Sequence, residues 1–397
     1  MPLKRGLRMA NSKTLSSNSN QPPRVAIIHD WLTDMGGAER VVLALLSAFP
    51  GAPIYTSVFE PQGAGLQMFK DADVRTTWLQ KLPRGLRRLH RLFPVLRVWA
   101  FRSLDLRAYD VIISSSSAES KQVKKRSDAV HICYCHTPTR YYWSHYQHYR
   151  QDPGFGRLNP LIRLIMPPFV WWMKRLDFAA AQRVDYFVAN SSEVRDRVKR
   201  FYGRDSVVIN PPVEVARFTL AQTTGSRRAG YVSIGRLVPY KRFDVAVQAC
   251  SELGLPLTVY GSGPEYAKLQ KMAGPTVSFV KNATDQQIAR ALRSARALLF
   301  PAEEDFGIVQ IEALAAGTPI VAYARGGALD VVKDGINGVL FYQQTTDSLI
   351  AALQTLEGLR LNRPGIMASA RQWDTARFIK KLQNFVGECW ELGPPRR

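Results

Sequence analysis

The residues of this chain whose types and spacing could do chemistry gather first in "PAEEDFGIVQIEALAAGTPIVAY", Pro301 to Tyr323, where Glu304 and Glu312 flank Gly307. On one continuous helix the two carboxylates would stand roughly 12 Å apart, at about 1.5 Å per residue. Glycosidase partners sit roughly 5–10 Å apart, so the spacing suits two grips on one long ligand better than an acid–base pair. A kinase magnesium loop is a poor fit for "DFG", because the chain has neither an "HRD" loop nor a glycine-rich ATP loop. The glutamates could equally be a solvated helix start favoured by the dipole.

Other candidates lie at similar places. "SIGRLVPYKRFD", Ser233 to Asp244, sets Arg236 and Lys241 at a strand-to-helix turn, which suits a diphosphate and also suits ordinary surface cations. "YGSGPE" carries Gly261 and Gly263, but Tyr266 stands where a dinucleotide fingerprint needs its last glycine. "DMGGAER" opens a helix with Gly36 and Gly37, and "CHTPTRYYW" ends a strand with His136, a residue open to either a structural or a cleft role. "HICYCH" invites a metal, yet a strand there would send alternate side chains to opposite faces, so no zinc site is expected. The four cysteines make neither a disulfide framework nor a C-x-x-C pair, which fits a reducing compartment.

The elements that must position these residues alternate between strand-like and helical runs. "RVAIIHDW", "DVIISSSS", "VHICYCHTP" and "VDYFVANS" form one series; "GYVSIGRL", "PLTVYGSG", "ARALLF" and "TPIVAY" form another. Such alternation predicts an α/β protein with two Rossmann-like domains, their parallel sheets facing a central cleft. "PAEEDFG" then falls at the carboxyl end of a strand and feeds a helix, where ligands of open α/β sheets bind. The expected divisions are a disordered basic tail over 1–23, domains over 24–206 and 207–372, and over 373–397 a helix crossing back to the first domain, with a tail.

The chain has 397 residues, 54 Lys and Arg against 32 Asp and Glu, and a net charge of +22, with the basic excess mainly in its first half. "TTWLQKLPRGLRRLHRLFPVLRVWAFRSLDLR", Thr76 to Arg107, interleaves cations with Trp78, Leu86, Phe93 and Trp99. Helices with one apolar and one cationic face lie in anionic membrane surfaces; packing on the domain core is the alternative. "RLNPLIRLIMPPFVWWMKR", Arg157 to Arg175, offers a second such patch. Neither a secretory signal nor a span of roughly 20 apolar residues is evident. No nucleic-acid module is recognised, so nucleic acid is not an expected partner.

Together these motifs resemble glycosyltransferase family 4, the retaining GT-B enzymes that use nucleotide sugars. The likeness runs over most of residues 24–345; Glu304 to Glu312 is similar to the family's E-x7-E motif, and "GRLVPYK" to its G-R-L-x-x-x-K segment. "YCHTPTRYYW" is similar to a subgroup of bacterial polysaccharide and O-antigen transferases, many of them mannosyltransferases. The resemblance implies that Glu304 binds donor-sugar hydroxyls, with Asp305, Phe306, Gly307 and Ile308 around the sugar and Glu312 on the ribose. It implies Arg236 and Lys241 on the diphosphate, His136 approaching from the other domain, and Gly36, Gly37, Gly261 and Gly263 near the donor. Lys281 stands where the family usually has glycine. No D-x-D stands out at a plausible site, so the two side-chain cations could replace a metal, and no metal or other cofactor is expected. The implied acceptor is a polyprenyl-diphosphate-linked saccharide or other glycolipid, met at the inner face of the cytoplasmic membrane. A GT-B protein that binds sugar nucleotides without transfer is the rival reading.

Overall fold

The computed structural model describes residues 22–63, 65–89, 92–144, 146–151, 156, 159–219 and 228–395. All but the last two residues of the expected tail over 1–23 lie outside them. The first domain holds a parallel sheet of β1 (Val25–His29), β2 (Ile54–Thr56), β3 (Val74–Thr76), β4 (Val111–Ser116), β5 (Val130–Cys135), β6 (Tyr186–Ala189) and β7 (Val207–Val208), ordered β3-β2-β1-β4-β5-β6-β7. The second holds β8 (Tyr231–Ile234), β9 (Leu257–Tyr260), β10 (Val277–Val280), β11 (Ala297–Phe300), β12 (Ile320–Tyr323) and β13 (Gly338–Phe341), ordered β10-β9-β8-β11-β12-β13 and also parallel. The sheet thus keeps Val207–Val208, which the sequence placed past the first domain; the extended linker begins after them.

The strands read as nearly continuous apolar runs because both faces are covered. In β1, Val25 and Ile27 pack with Val41 and Leu45 of the helix Gly37–Ala48, while Ala26 and Ile28 pack with Phe101 on the other face. In β11, Leu298 and Phe300 face Ile311 and Leu314, and Ala297 and Leu299 face Phe243 and Leu353. The helix Thr375–Leu392 places Phe378, Leu382 and Phe385 in the core of the first domain, and Gln383 Nε2 donates to the Ala48 carbonyl at 2.7 Å. Truncating fully buried Leu382 to alanine would cost about 2–5 kcal/mol.

Each sheet reverses its winding once, between β1 and β4 and between β8 and β11. Crevices at the carboxyl ends of strands flanking such switch points are where open α/β sheets bind ligands. His29 and Ser116 end the first pair; Ile234 and Pro301 end or follow the second.

The basic stretch Thr76–Arg107 is a 3-10 turn (Trp78–Lys81) and two short helices (Arg84–Arg88 and Pro94–Arg102). Its cationic face is not all outward, as the sequence suggested: Arg97 is buried against Glu119 at 2.7 Å, and Arg87 pairs with Glu60 at 2.6 Å. Trp78, Leu89, Phe93 and Trp99 remain exposed. The helix Asn159–Arg183 runs through Pro167 and Pro168, and its Phe169, Val170 and Met173 pack on Val95 and Val98. The two apolar patches therefore adjoin, with Leu164, Trp171 and Trp172 exposed on the second. Among the described residues, no helix is long and apolar enough to cross a membrane.

Candidate active site

The loop after β11 and the turn after β8 build one wall of the interdomain cleft. Lys241 ends the 3-10 turn Pro239–Lys241, and its Nζ lies 2.7 Å from Glu304 Oε1. The approach is off the direction of a hydrogen bond, so Glu304 Oε1 is buried with an ionic neighbour but no hydrogen-bond partner among the described residues. Gly307 caps the helix Ile308–Ala315 at φ 78°, where a Cβ would sit 2.6 Å from Phe300 Cζ. Only glycine fits that left-handed, crowded position.

A cavity of about 360 Å³ separates this wall from the other domain; Lys241, Glu304 and Gly307 face Gly37, His136 and Arg140 across it. A second cavity of about 380 Å³ continues from it past Ile234 and Gly235 to Arg236, Gly261 and Asn282. Arg236 is exposed there and makes no ion pair with a described residue. The first cavity also touches Asp305, Phe306 and Ile308. Together the two cavities form an elongated space with cations along one side, suited to a sugar joined to a diphosphate and a base.

The glycines divide by role. Gly37 lines the cavity, and a Cβ there would meet Ile308 Cδ1 at 3.0 Å, so glycine lets two helix starts approach across the domains. A Cβ on Gly36 would meet Glu39 Oε2 at 2.9 Å. Gly261 borders the second cavity but is required first by packing, since its Cβ would fall 1.9 Å from the Gly235 carbonyl oxygen. Gly263 packs in the same way against the Leu237 carbonyl. Lys281 lies 3.6 Å from the centre of the Tyr266 ring, a cation–π contact.

His136 follows β5, is buried, and accepts or donates at 2.8 Å to Ser115 Oγ through Nε2. Burial, and then the charge of His29, pull its pKa down to about 4. It is therefore neutral at neutral pH.

Two acidic residues behave differently from the expectation. The Asp305 carboxylate is held by Arg140 Nη2 and, at 2.6 Å, by Arg197 Nη1, both from the first domain. Glu312 is buried and pairs with Arg40 Nη1 at 3.2 Å, again across the domains. Burial raises the Glu312 pKa, with Arg40 opposing. Sequence reasoning missed Arg40, Arg140 and Arg197. Arg140 sat inside a motif noted for its histidine; Arg197 was one charge among many on "SEVRDRVKRFYG", where only its inward face could have signalled a partner. Among the described residues, no cluster of His, Cys, Asp or Glu could hold a metal ion, and Cys133 and Cys135 are buried free thiols.

Residues 35–217 match the model for Glycosyltransferase Family 4, and residues 222–373 match that for Glycosyl transferases group 1. A D-inositol 3-phosphate glycosyltransferase of Nocardia farcinica is 29% identical over 245 residues, 52% of this chain and 54% of that protein. The Streptomyces avermitilis protein of the same name is 34% identical over 194 residues, 41% of each chain. The chain thus spans about half the length, or less, of the curated relatives it matches. Among solved structures, Anabaena HepE in complex with UDP and glucose superposes with TM-score 0.67 at 17% identity, over 93% of this chain and 100% of that one. Sucrose-phosphate synthase from Thermosynechococcus elongatus gives 0.66 at 17%, over 92% and 98%. With both halves matched by family models and the paired Rossmann-like domains shared with these structures, the chain belongs to glycosyltransferase family 4 and has the GT-B fold.

Proposed function

We propose that the chain is a retaining hexosyltransferase moving a sugar from a nucleoside diphosphate to a lipid-linked saccharide in bacterial polysaccharide or lipopolysaccharide synthesis. The first candidate donor is GDP-mannose, on the likeness of "YCHTPTRYYW"; a UDP-hexose is the alternative. The observation that carries the reading is the facing of Lys241, Glu304 and Gly307 by His136 and Gly37 across one elongated cleft. Arg236 and Lys241 take the diphosphate and stabilise the negative charge that grows on it as the glycosidic bond breaks. Glu304 accepts from sugar hydroxyls, while Phe306, Gly307 and Ile308 enclose the sugar. Glu312 reaches the ribose only by exchanging Arg40 for it. The two cations make a metal unnecessary, and the apolar patch beside the first domain holds the protein on the inner face of the cytoplasmic membrane.

A panel of nucleotide sugars, read by thermal shift and by donor hydrolysis, tests this. A donor at about 100 times its Kd adds about 2.7 kcal/mol to folding stability. GDP-mannose giving the largest shift and measurable hydrolysis is the expected result. A protein that no nucleotide sugar stabilises, and that hydrolyses none, would not be a transferase of this kind.

A further inference from the structure

Behind His136 lies a buried polar chain that crosses three adjacent strands. Ser115 Oγ on β4 is 2.8 Å from His136 Nε2; His29 Nδ1, at the end of β1, is 3.2 Å from both Ser115 Oγ and the Ser115 carbonyl oxygen; His29 Nε2 is 3.4 Å from Glu39 Oε1. His29, Glu39, Ser115 and His136 are all buried. β1 and β4 pair in a register that sets His29 beside Ser115. Neighbouring Asp30 locks that turn by accepting from the Ser117, Ala118 and Ser120 amides. None of His29, Ser115 or Glu39 borders the cavity.

The proton inventory of the chain is dictated by its acceptors. A carbonyl oxygen only accepts, so Nδ1 of His29 must carry a proton toward Ser115. A carboxylate also only accepts, so Nε2 must carry one toward Glu39. His29 is then an imidazolium, and the Ser115 hydroxyl, already accepting from Nδ1, is left to donate to His136 Nε2. The opposite rotation of the hydroxyl would need a bare Nδ1 facing the Ser115 carbonyl, lone pair against lone pair. With Nε2 of His136 an acceptor and its ring neutral, its proton sits on Nδ1.

We propose that His29, held as an imidazolium between Glu39 and Ser115, is a positioning residue that fixes the Nδ1–H tautomer of His136, so that His136 meets the donor as a hydrogen-bond donor and not as a base. The ligand group that suits it is an oxygen acceptor: a sugar hydroxyl or a phosphate oxygen. This rests on the proposed function only in placing the donor sugar at His136. Glu39 supplies the countercharge, and its own pKa is lowered by His29 against the upward pull of burial. The charges of His29, Asp30, Glu39 and Asp305 bear on His136, with Arg140 beside it and Lys241 and Glu304 across the cavity, and its pKa of about 4 agrees with a cationic neighbour in a desolvated site.

The chain has six histidines, few enough for their ring nitrogens to be assigned by long-range nitrogen–proton NMR with His29→Gln and His136→Gln as references. At pH 7.5 the wild-type protein should show His29 protonated on both nitrogens and His136 protonated on Nδ1 alone. A neutral His29, or a His136 proton on Nε2, overturns the proposal whether or not the protein transfers sugar. Ser115→Ala should release His136 into a mixture of tautomers and lower kcat about tenfold, the range seen when an outer partner orienting a histidine is lost, with donor KM changed far less. An Ser115→Ala protein that keeps the single Nδ1–H tautomer would show that the chain only fills space. Should that variant not fold, the wild-type spectrum still decides. Absent donor binding by a wild-type protein with the expected tautomers would instead count against the proposed function alone.

Discussion

The second domain keeps charge out of its interior, whereas the first builds charge into its own. Around β11 the two cores are apolar, and among the described residues the buried carboxylates of the second domain, Asp305 and Glu312, are paired with Arg140, Arg197 and Arg40 of the other. The first domain buries Arg97 with Glu119, Lys121 with Asp177 at 2.6 Å, and His29 with Glu39. Breaking a buried ion pair strands its partner, so the network holds the interior behind that cleft wall in one polar arrangement before any ligand arrives. The opposite wall is a motif of loop and helix start, with its cations at the rim for a ligand to use.

The sharpest way to break this contrast is inside the first domain. Lys121→Met should cost about 3–5 kcal/mol, because Asp177 keeps its bonds from Trp143 Nε1 and Tyr202 but loses its countercharge. Burial pulls the Lys121 pKa down, yet Asp177 and its neighbours hold it above the ordinary value, so the ammonium stays charged in the wild type. Urea unfolding gives the number; a loss near zero would mean that the pair is neutral or dispensable, and that account of the interior would fall.

In the second domain the expected loss is in turnover. Lys241→Ala and Arg236→Ala should each lower kcat by about 100-fold, the range for removing one preorganised charge stabiliser; the melting temperature should stay nearly unchanged for exposed Arg236→Ala and fall modestly for Lys241→Ala, which leaves Glu304 without its cation. Near wild-type rates at saturating donor would remove these residues from the diphosphate. The same assay in excess EDTA should keep its rate, and a loss reversed by magnesium or manganese would require a metal.

A smaller effect distinguishes the two histidines by sign. The ordinary histidine pKa is about 6.5. His136 has a folded pKa of about 4, so between about 6.5 and 4 the unfolded chain takes up a proton that the folded one refuses, and stability falls as pH falls. For His29 burial acts downward, but the Glu39 hydrogen bond and charge, with Asp30 and the Ser115 carbonyl, raise it. Its contribution is whole below the ordinary value and is lost as pH rises through the folded one. Each limb has a slope of at most about 1.4 kcal/mol per pH unit. Denaturation midpoints across pH should show that His29→Gln flattens the alkaline limb and shrinks the acid one in part, because burial still lowers the His136 pKa but the His29 charge no longer does; an unaltered alkaline limb would show that His29 is not held charged.

The same contrast explains what was legible in the sequence. Strand and helix alternation survives because each parallel strand is a short apolar run with a turn after it, and "GRLVPYK" and "EEDFGIVQIE" put their chemistry within a few residues of one strand end. The polar chain behind the first-domain wall is assembled from His29, Ser115 and His136, which are distant in sequence and become neighbours only through strand order β1-β4-β5. Nothing local marks Ser115 within "VIISSSS" as the serine between two imidazoles. The cations hide their partners for a related reason: Arg87 and Arg97 look like a solvated face until Glu60 and Glu119 are folded beneath them.

That correction also changes how the membrane reading should be tested. Reversing charge at Arg87 would break its bond to Glu60 and perturb the fold. The tryptophans are the better probe: Trp171 and Trp172 are 57% and 40% exposed on the helix Asn159–Arg183, and Arg175 stacks on Trp171 with its guanidinium 4.1 Å from the ring centre. Such rings with adjacent cations suit the boundary between headgroups and acyl chains, where each nearby cation adds about 1 kcal/mol on anionic lipid. The wild-type protein should bind vesicles containing anionic phospholipid, leave them in high salt, and bind neutral vesicles poorly. Immersing one large side chain contributes roughly 1.5–3 kcal/mol, so exchanging both half-immersed rings for alanine should weaken vesicle partitioning by about tenfold. Transfer to a lipid-linked acceptor should fall with it, and donor hydrolysis, which needs no membrane, should not. A double variant that binds the vesicles as tightly as the parent would show that this apolar face meets something other than lipid.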